Sequence, residues 1–393
     1  MSQMQGELAE RFAELQGARA TWLVPARHTV DVLAKIGLVG PEDHLVAFAD
    51  DFSDAFAELF PGRRVTFVAE PSPDAFLVAS GWGTDPSDAE EPEEAVDGSD
   101  GLKELGWGDT RLAVTGSPAS YAYPAGRVSD RTFWFVSSIG GLGLRVPDLR
   151  ELSRAAAAAG ALLIVDNTVP SAFGCHPLKL GATISLEALD RVAAGALSQK
   201  VVAVSVARSL SGRGRRRVVR PEAEDAYRLL IFDLGDPAAP AHALELAECD
   251  LAALAVGLDT LASRMQHHTD NARAIAEYLR CHPKVGHVFY PGLKTHADHA
   301  CATGVLEHGF GPAIDFSLTG SADETQRVRH ERFLALCEVA HRNAPAGGAV
   351  TRIGIAQHRD VSYLRMFAGT DDPLYVADSL DQALRLFCNP PEP

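Results

Sequence analysis

The chain has 393 residues, 46% of them hydrophobic, and a formal net charge of −16. That length holds about two or three domains with sizeable cores, and the acidic balance speaks against a general nucleic-acid binder, because phosphate backbones reward positive surfaces. No apolar run approaches bilayer length and the opening MSQMQGELAERF does not read as a signal peptide; six scattered cysteines without a CxxC pair suit reduced thiols, so a cytoplasmic setting is expected, without disulfide frame or zinc site.

From about Glu7 to Leu38 the pattern predicts helix, with Leu8, Phe12 and Leu15 at i, i+4 and i+7. Runs at His44–Phe48, Arg64–Val68 and Ala75–Ala79 read as strands, with a short helix over Ser53–Leu59 between the first two. This alternation suggests βαβ units. Asp85–Gly101 carries eight acidic residues and two prolines, and reads as a solvated surface loop rather than an acidic partner-binding tail. Arg208–Arg220 carries six arginines. In a chain this acidic it reads as a second solvated loop, attracted to the acidic one, rather than a phosphate or nucleic-acid patch.

Phe133–Val136 predicts a strand. Val146–Gly160 predicts a helix, with Pro147 in its first turn and Gly160 as its stop. The apolar run Ala161–Val165 then reads as a buried parallel strand ending on Asp166-Asn167-Thr168. In an open α/β sheet, ligands sit outside the carboxyl ends of the strands, which puts Asp166 where chemistry usually happens. Thr183–Leu186 and Lys200–Val206 predict two further strands of the same sheet. Ala241–Arg280 reads as a long helix stopped at His282-Pro283. Strands at Val285–Tyr290, Pro312–Leu318 and Arg365–Ala368 follow, with helices over Asp323–His341 and Pro373–Phe387, as in a smaller α+β domain.

Several constellations carry less chemistry than they suggest. The pairs His296/His299 and His267/His268 could suggest a metal, but the second has no acidic or thiol partner at ligand spacing, so no metal site is expected. Cys175 lies just beyond the expected ligand crevice, nothing in the sequence pairs it with a base, and it reads as a buried or inert thiol. Ser211–Gly214 lacks the strand–loop–helix setting of a phosphate-binding loop.

Three stretches together resemble a known family: LLIVDNT with the following HPLKLGA, Gly257–Ala302 (GLDTLASRMQHHTDNARAIAEYLRCHPKVGHVFYPGLKTHADHACA), and the ending LRMFAGTDDPLYVADSLDQAL. They are similar to the Cys/Met-metabolism family of pyridoxal-phosphate (PLP) enzymes, which includes cystathionine γ-synthase, cystathionine β- and γ-lyases and methionine γ-lyase. The resemblance runs from about Phe133 to Phe387. It implies the aspartate-aminotransferase-like (type I PLP) fold: a large, mainly parallel α/β domain over 1–255 and a smaller α+β domain over 256–393. It also implies a homo-oligomer, dimer or tetramer, and the HisxxHis stretch as one the family carries without metal. By the same resemblance Asp166 takes the position that holds the PLP pyridine nitrogen, and Arg365 the position that binds a substrate α-carboxylate through its donor fork. The other reading of Arg365 is an ordinary structural ion pair.

The departures from the family pattern are equally specific. The run Ala188-Leu189-Asp190-Arg191 stands where the family has a Ser-Ala-Thr-Lys-like motif, so Arg191 replaces the Schiff-base lysine. A guanidinium stays protonated and has no free amine to offer. Ala188 and Asp190 replace the serine and threonine that help hold the phosphate, and a carboxylate there repels it. The family's asparagine near the ring falls at Gly141, and the N-terminal Tyr-x-Arg, Ser-Gly-Met and Tyr-Gly-Gly motifs are missing. Only six of the 36 basic residues are lysines, and Lys200 is the one alternative anchor near the right strand. Two functions are therefore expected. One is a degenerate homologue of the transsulfuration-type enzymes, acting as partner or regulatory subunit of an active paralogue. The other is an active PLP-dependent C–S lyase or transferase with its cofactor on Lys200. In either case Arg191 and Arg365 suit a small anionic, amino-acid-like ligand, with neither nucleic acid nor membrane as partner.

Overall fold

A computed structural model of the protein describes residues 3–51, 60, 64–82, 131–191, 193–194, 197–211, 218–235, 245–319, 325–338 and 347–388. The expected helix at 53–59 and the acidic stretch at 85–101 lie outside these residues.

The region expected as one helix over 7–38 is three elements. Helix α1 (Gln3–Gln16) ends at Gly17, whose φ of +66° suits a residue without a Cβ. Strand β1 (Ala20–Pro25) follows, then helix α2 (Thr29–Lys35). The apolar run of β1 is buried, and such a run does not distinguish strand from core helix by periodicity. Partner strands decide it.

Strands β2 (His44–Phe48) and β3 (Arg64–Val68) come next, then helix α3 (Pro73–Ala79) where a strand was expected over 75–79. The reason is local. Ser72 caps the first turn, its Oγ accepting from Ala75 N, and Pro73 supplies a helix-ready φ at the first position. Strand β4 (Thr132–Ser137) leads to helix α4 (Leu149–Ala158), capped by Asp148 through the N–H groups of Arg150 and Glu151 and released at Gly160. Strand β5 (Leu162–Asp166), the short helices α5 (Ser171–Gly174) and α6 (Pro177–Leu180), and strands β6 (Ile184–Ala188) and β7 (Val201–Val206) complete the main sheet.

That sheet has seven strands in the order β1-β7-β6-β5-β4-β2-β3. β6, β5, β4, β2 and β3 run parallel, and β7 is antiparallel to both β6 and β1. Alternate side chains of β5 feed two cores: Leu162 and Ile164 pack with Trp22 and Phe135, while Leu163 and Val165 pack with Trp134 and Leu149. With both faces covered, the carboxyl-end edge is where a ligand can reach the strands.

The arginine-rich run begins and ends on a small ribbon, β8 (Leu210–Ser211) against β9 (Val218–Val219), with 212–217 outside the described residues. Its flanking arginines hold main-chain oxygens: Arg208 donates to Ala18 O, and Arg220 to Gly181 O and Ala182 O. Helix α7 (Pro221–Leu234) follows.

Helix α8 (Glu248–Cys281) runs through position 255, the expected domain boundary. Beyond it come β10 (Val285–Phe289), α9 (His299–Val305), β11 (Ala313–Leu318), α10 (Gln326–Leu336), β12 (Arg352–His358), β13 (Val361–Phe367) and α11 (Pro373–Cys388). The four strands form an antiparallel sheet in the order β10-β11-β13-β12. Only Arg365–Ala368 of its β12–β13 hairpin was expected from the sequence.

Candidate functional site

Asp166 ends β5 and turns its carboxylate into a cavity of about 330 Å³. The following residues hold that tip in place. Thr168 N donates to Asp166 Oδ1 at 2.9 Å, and the Thr29 hydroxyl donates to Oδ2. Asn167 accepts from Ser138 Oγ at 2.9 Å and donates to Cys175 O at 3.0 Å, while Thr168 Oγ1 accepts from Ala188 N at 3.0 Å. The Asp-Asn-Thr tip thus clamps β4, β5 and β6 together. Burial pushes the Asp166 carboxyl above its ordinary range, against the opposing pull of the Thr168 and Thr29 donors and the Arg191 charge.

A second carboxylate shares the cavity. Asp51 follows β2 and accepts from Ser137 N at 2.6 Å. Burial first, and the neighbouring Asp166 charge in addition, push it up to about 7 against the Ser137 and Gly141 donors. A Cβ on Gly140 would lie 2.1 Å from Asp51 Oδ1, so the chain passes this carboxylate only as glycine. Sequence reasoning missed Asp51. Its signal, an acidic pair at the tip of a strand, lay in the part of the chain with no recognisable family motif.

Ala188, Arg191 and Arg365 also line the cavity, together with Arg27 and His28, whereas Asp190 does not. Arg191 is partly exposed, with its Nε 3.9 Å from Asp190 Oδ2. Its charge favours ionised Asp166 and adds to the effect of burial in lowering the pKa of Arg352. Gly141 has a φ of +62°, and a Cβ there would lie 2.7 Å from Phe48 and 2.9 Å from Asp50, leaving no room for a side chain. Arg365 donates through Nε and Nη2 to the two carboxylate oxygens of Asp315, each at 2.7 Å, and through Nη2 to Gly141 O. Burial works against its charge, but Asp315, with the Asp51 and Asp50 charges, more than compensates and holds the guanidinium above its ordinary value.

Lys179, Lys200, Lys284 and Lys294, the lysines whose side chains are described, are all exposed, and none lines this cavity. Lys200 lines a neighbouring, more open hollow with Pro25, Ala26 and Asp31, which Arg27 also borders. The Asp166 carboxylate can therefore accept from a pyridinium nitrogen at one end of the cavity. The residues described do not fit a covalently anchored PLP, which needs an amine, since no described lysine lines the cavity.

The remaining sequence candidates sit elsewhere. His296, His299 and His268 each turn a ring nitrogen to a main-chain oxygen, of Gly143, Pro291 and Ala368, all at 2.8 Å. Among the described residues no group of three or more His, Cys, Asp or Glu stands together as metal ligands. Cys175 is fully buried, and burial raises its thiol pKa well above the ordinary value. No helix among the described residues is long and apolar enough to cross a membrane.

Solved structures place this architecture. The chain aligns over 99% of its length, and 87% of the other chain, with cystathionine gamma synthase from Xanthomonas oryzae pv. oryzae in complex with aminoacrylate and cysteine, at a TM-score of 0.71 and 20% identity. It aligns over 98%, and 87% of the other chain, with apo CalE6, a methionine gamma lyase from Micromonospora echinospora, at 0.69 and 21%. The fold is thus the aspartate-aminotransferase-like fold of PLP-dependent lyases and synthases, as the sequence resemblance implied. More particularly, the model of the Cys/Met metabolism PLP-dependent enzymes matches residues 127–358, and the chain belongs to that family. It is 30% identical over 216 residues to a homocysteine synthase of Schizosaccharomyces pombe, covering 49% of this chain and 48% of that protein. It is 24% identical over 355 residues to an O-acetyl-L-homoserine sulfhydrylase of Leptospira meyeri, covering 81% and 67%. In the first of these matches the chain spans only about half of its relative's length.

Proposed function

We propose that this chain is a catalytically degenerate member of the transsulfuration-type family, which does not anchor PLP and serves as partner or regulatory subunit of an active paralogue. One observation carries the reading: the basic group beside Asp166 is the guanidinium of Arg191, and no described lysine lines the cavity. A guanidinium remains charged at any physiological pH and cannot act as the amine nucleophile. Three further features support it. Ala188 has no hydroxyl to give a phosphate, Gly141 has no room for a ring-facing side chain, and the Arg365 fork is taken by Asp315.

In this reading the cavity takes a small anionic, amino-acid-like ligand without covalent chemistry, with Arg27 and Arg191 as its cations. Homo-oligomerisation, or assembly with an intact homologue, belongs to the same proposal, as does a cytoplasmic setting. The competing reading, an active C–S lyase or transferase with PLP on Lys200, requires that exposed side chain to reach out of its own hollow and past Arg27.

The test is direct. The purified chain is held with excess PLP, the visible absorbance of a lysine adduct is followed, and any adduct is trapped with borohydride and mapped. The degenerate reading expects no stable band. A band mapped to Lys200 establishes the competing one.

A further inference from the structure

Asp315 and Arg365 are direct partners in the antiparallel register of β11 and β13. Side chains of directly opposed residues emerge on the same face of a sheet, so the two strands aim this carboxylate and this guanidinium at each other. The contact is complete on both sides. Nε reaches Oδ1 and Nη2 reaches Oδ2, each at 2.7 Å, and Nη2 also donates to Gly141 O. Asp315 is wholly buried, and its Oδ2 also accepts from Gly143 N at 2.9 Å. Of the five N–H donors of a guanidinium, the Nε–Nη2 edge that meets a carboxylate two-on-two is already filled. Nη1 alone is left for whatever enters the cavity.

We infer that Asp315 is a specificity-determining residue: it fills, from inside the protein, the carboxylate position at Arg365, so that the cavity does not take an α-carboxylate as a bidentate ligand there. An incoming anion meets Arg191 and Arg27 instead. A tethered carboxylate, pre-set by the Gly143 N–H, competes at an effective concentration far above that of any free metabolite. The inference does not depend on whether the chain anchors PLP, and its test does not use PLP.

The probes are sodium acetate and L-alanine, titrated calorimetrically into the purified full chain, the Arg365→Gln variant, the Asp315→Asn variant and the double variant. Asparagine keeps an acceptor for Gly143 N–H but loses the charge and one of the two oxygens that hold the fork. The expected result is a difference in carboxylate affinity of less than tenfold between the wild type and Arg365→Gln, since only Nη1 is lost to the ligand. Asp315→Asn should bind at least tenfold tighter than either, and the double variant should lose that gain. A tenfold drop in affinity from wild type to Arg365→Gln overturns the inference, as does a folded Asp315→Asn without gain. If Asp315→Asn does not fold, the wild type and Arg365→Gln decide alone: a difference of less than tenfold supports the inference, and a tenfold drop in Arg365→Gln overturns it.

Discussion

Gln16 at the end of α1 and Glu187 on β6 face each other in the interior, with Gln16 Nε2 donating to Glu187 Oε2 at 2.9 Å while Oε1 of each lies buried without a partner. Glu187 Oε1 is thus a buried carboxylate oxygen that no donor satisfies. A proton on that oxygen removes the cost of burying it as an unpaired charge. Burial, together with the nearby Asp166 charge, pushes Glu187 up to about 8 against the Ala172 N–H and Gln16 donors.

The pH dependence of stability follows from that proton. Folded Glu187 holds it up to about pH 8, whereas the unfolded side chain releases it near the ordinary glutamate value. The folded state then binds more protons, so this contribution is fully present at acid pH and is lost as pH rises through the window, at up to about 1.4 kcal/mol per pH unit. Asp51, raised to about 7, adds a slope of the same sign. Melting temperatures measured from pH 7 to 9 should fall, and Glu187→Gln should flatten the curve while keeping an acceptor for the Gln16 and Ala172 donors. A variant curve parallel to the wild type would sink this account.

Gly140 is expected to be intolerant of even one methyl group. A Cβ there meets Asp51 Oδ1 at 2.1 Å and Ser137 Cβ at 2.5 Å, so Gly140→Ala must displace the carboxylate or the strand end. A loss of about 1–3 kcal/mol is expected from such overpacking. Urea unfolding measures it, and Gly160→Ala, where a Cβ meets nothing within 4 Å but φ is +67°, separates steric from conformational cost.

Arg191→Lys tests the cavity's missing amine. The substitution puts a primary amine beside Asp166 but leaves Ala188 without a hydroxyl and Asp190 acidic. Weak, borohydride-trappable labelling by PLP at the peptide carrying position 191 is expected, where the wild type gives none. Labelling that maps only to Lys200 in both proteins would show that the amine belongs to the other hollow.

The cysteines should separate by burial rather than by sequence context. Cys249 and Cys281 are exposed, Cys301 is half-buried with its thiol pushed up to about 12 by burial, and Cys175 is enclosed. Iodoacetamide followed by peptide mapping should modify Cys249 and Cys281 first and reach Cys175 only in denaturant. Early modification of Cys175 would contradict its enclosure.

Elements with strong local signals were legible in the sequence. α4 carries its own cap at Asp148 and its own stop at Gly160, and β5 is an apolar run between a helix and a polar tip. α3 shows how near the edge such readings lie: the Ser72-Pro73 cap was in the sequence, and the five apolar residues after it outweighed it. β1 had no such signal. Its run is buried from Ala20 to Val24, and only its six-residue register against β7 makes it a strand.

The sequence by itself determined that Asp166 ends a buried strand and that an arginine follows at position 191, because strand and tip chemistry are local. The tertiary structure decided what these residues meet. Asp51 reaches Ser137 across 86 residues of chain, and Arg365 reaches Asp315 across 50, because β2 lies beside β4 and β13 beside β11. Strand order and register are products of global packing and leave no mark on the residues between. The carboxylate pair in the cavity and the filled arginine fork could therefore be found only in the folded chain.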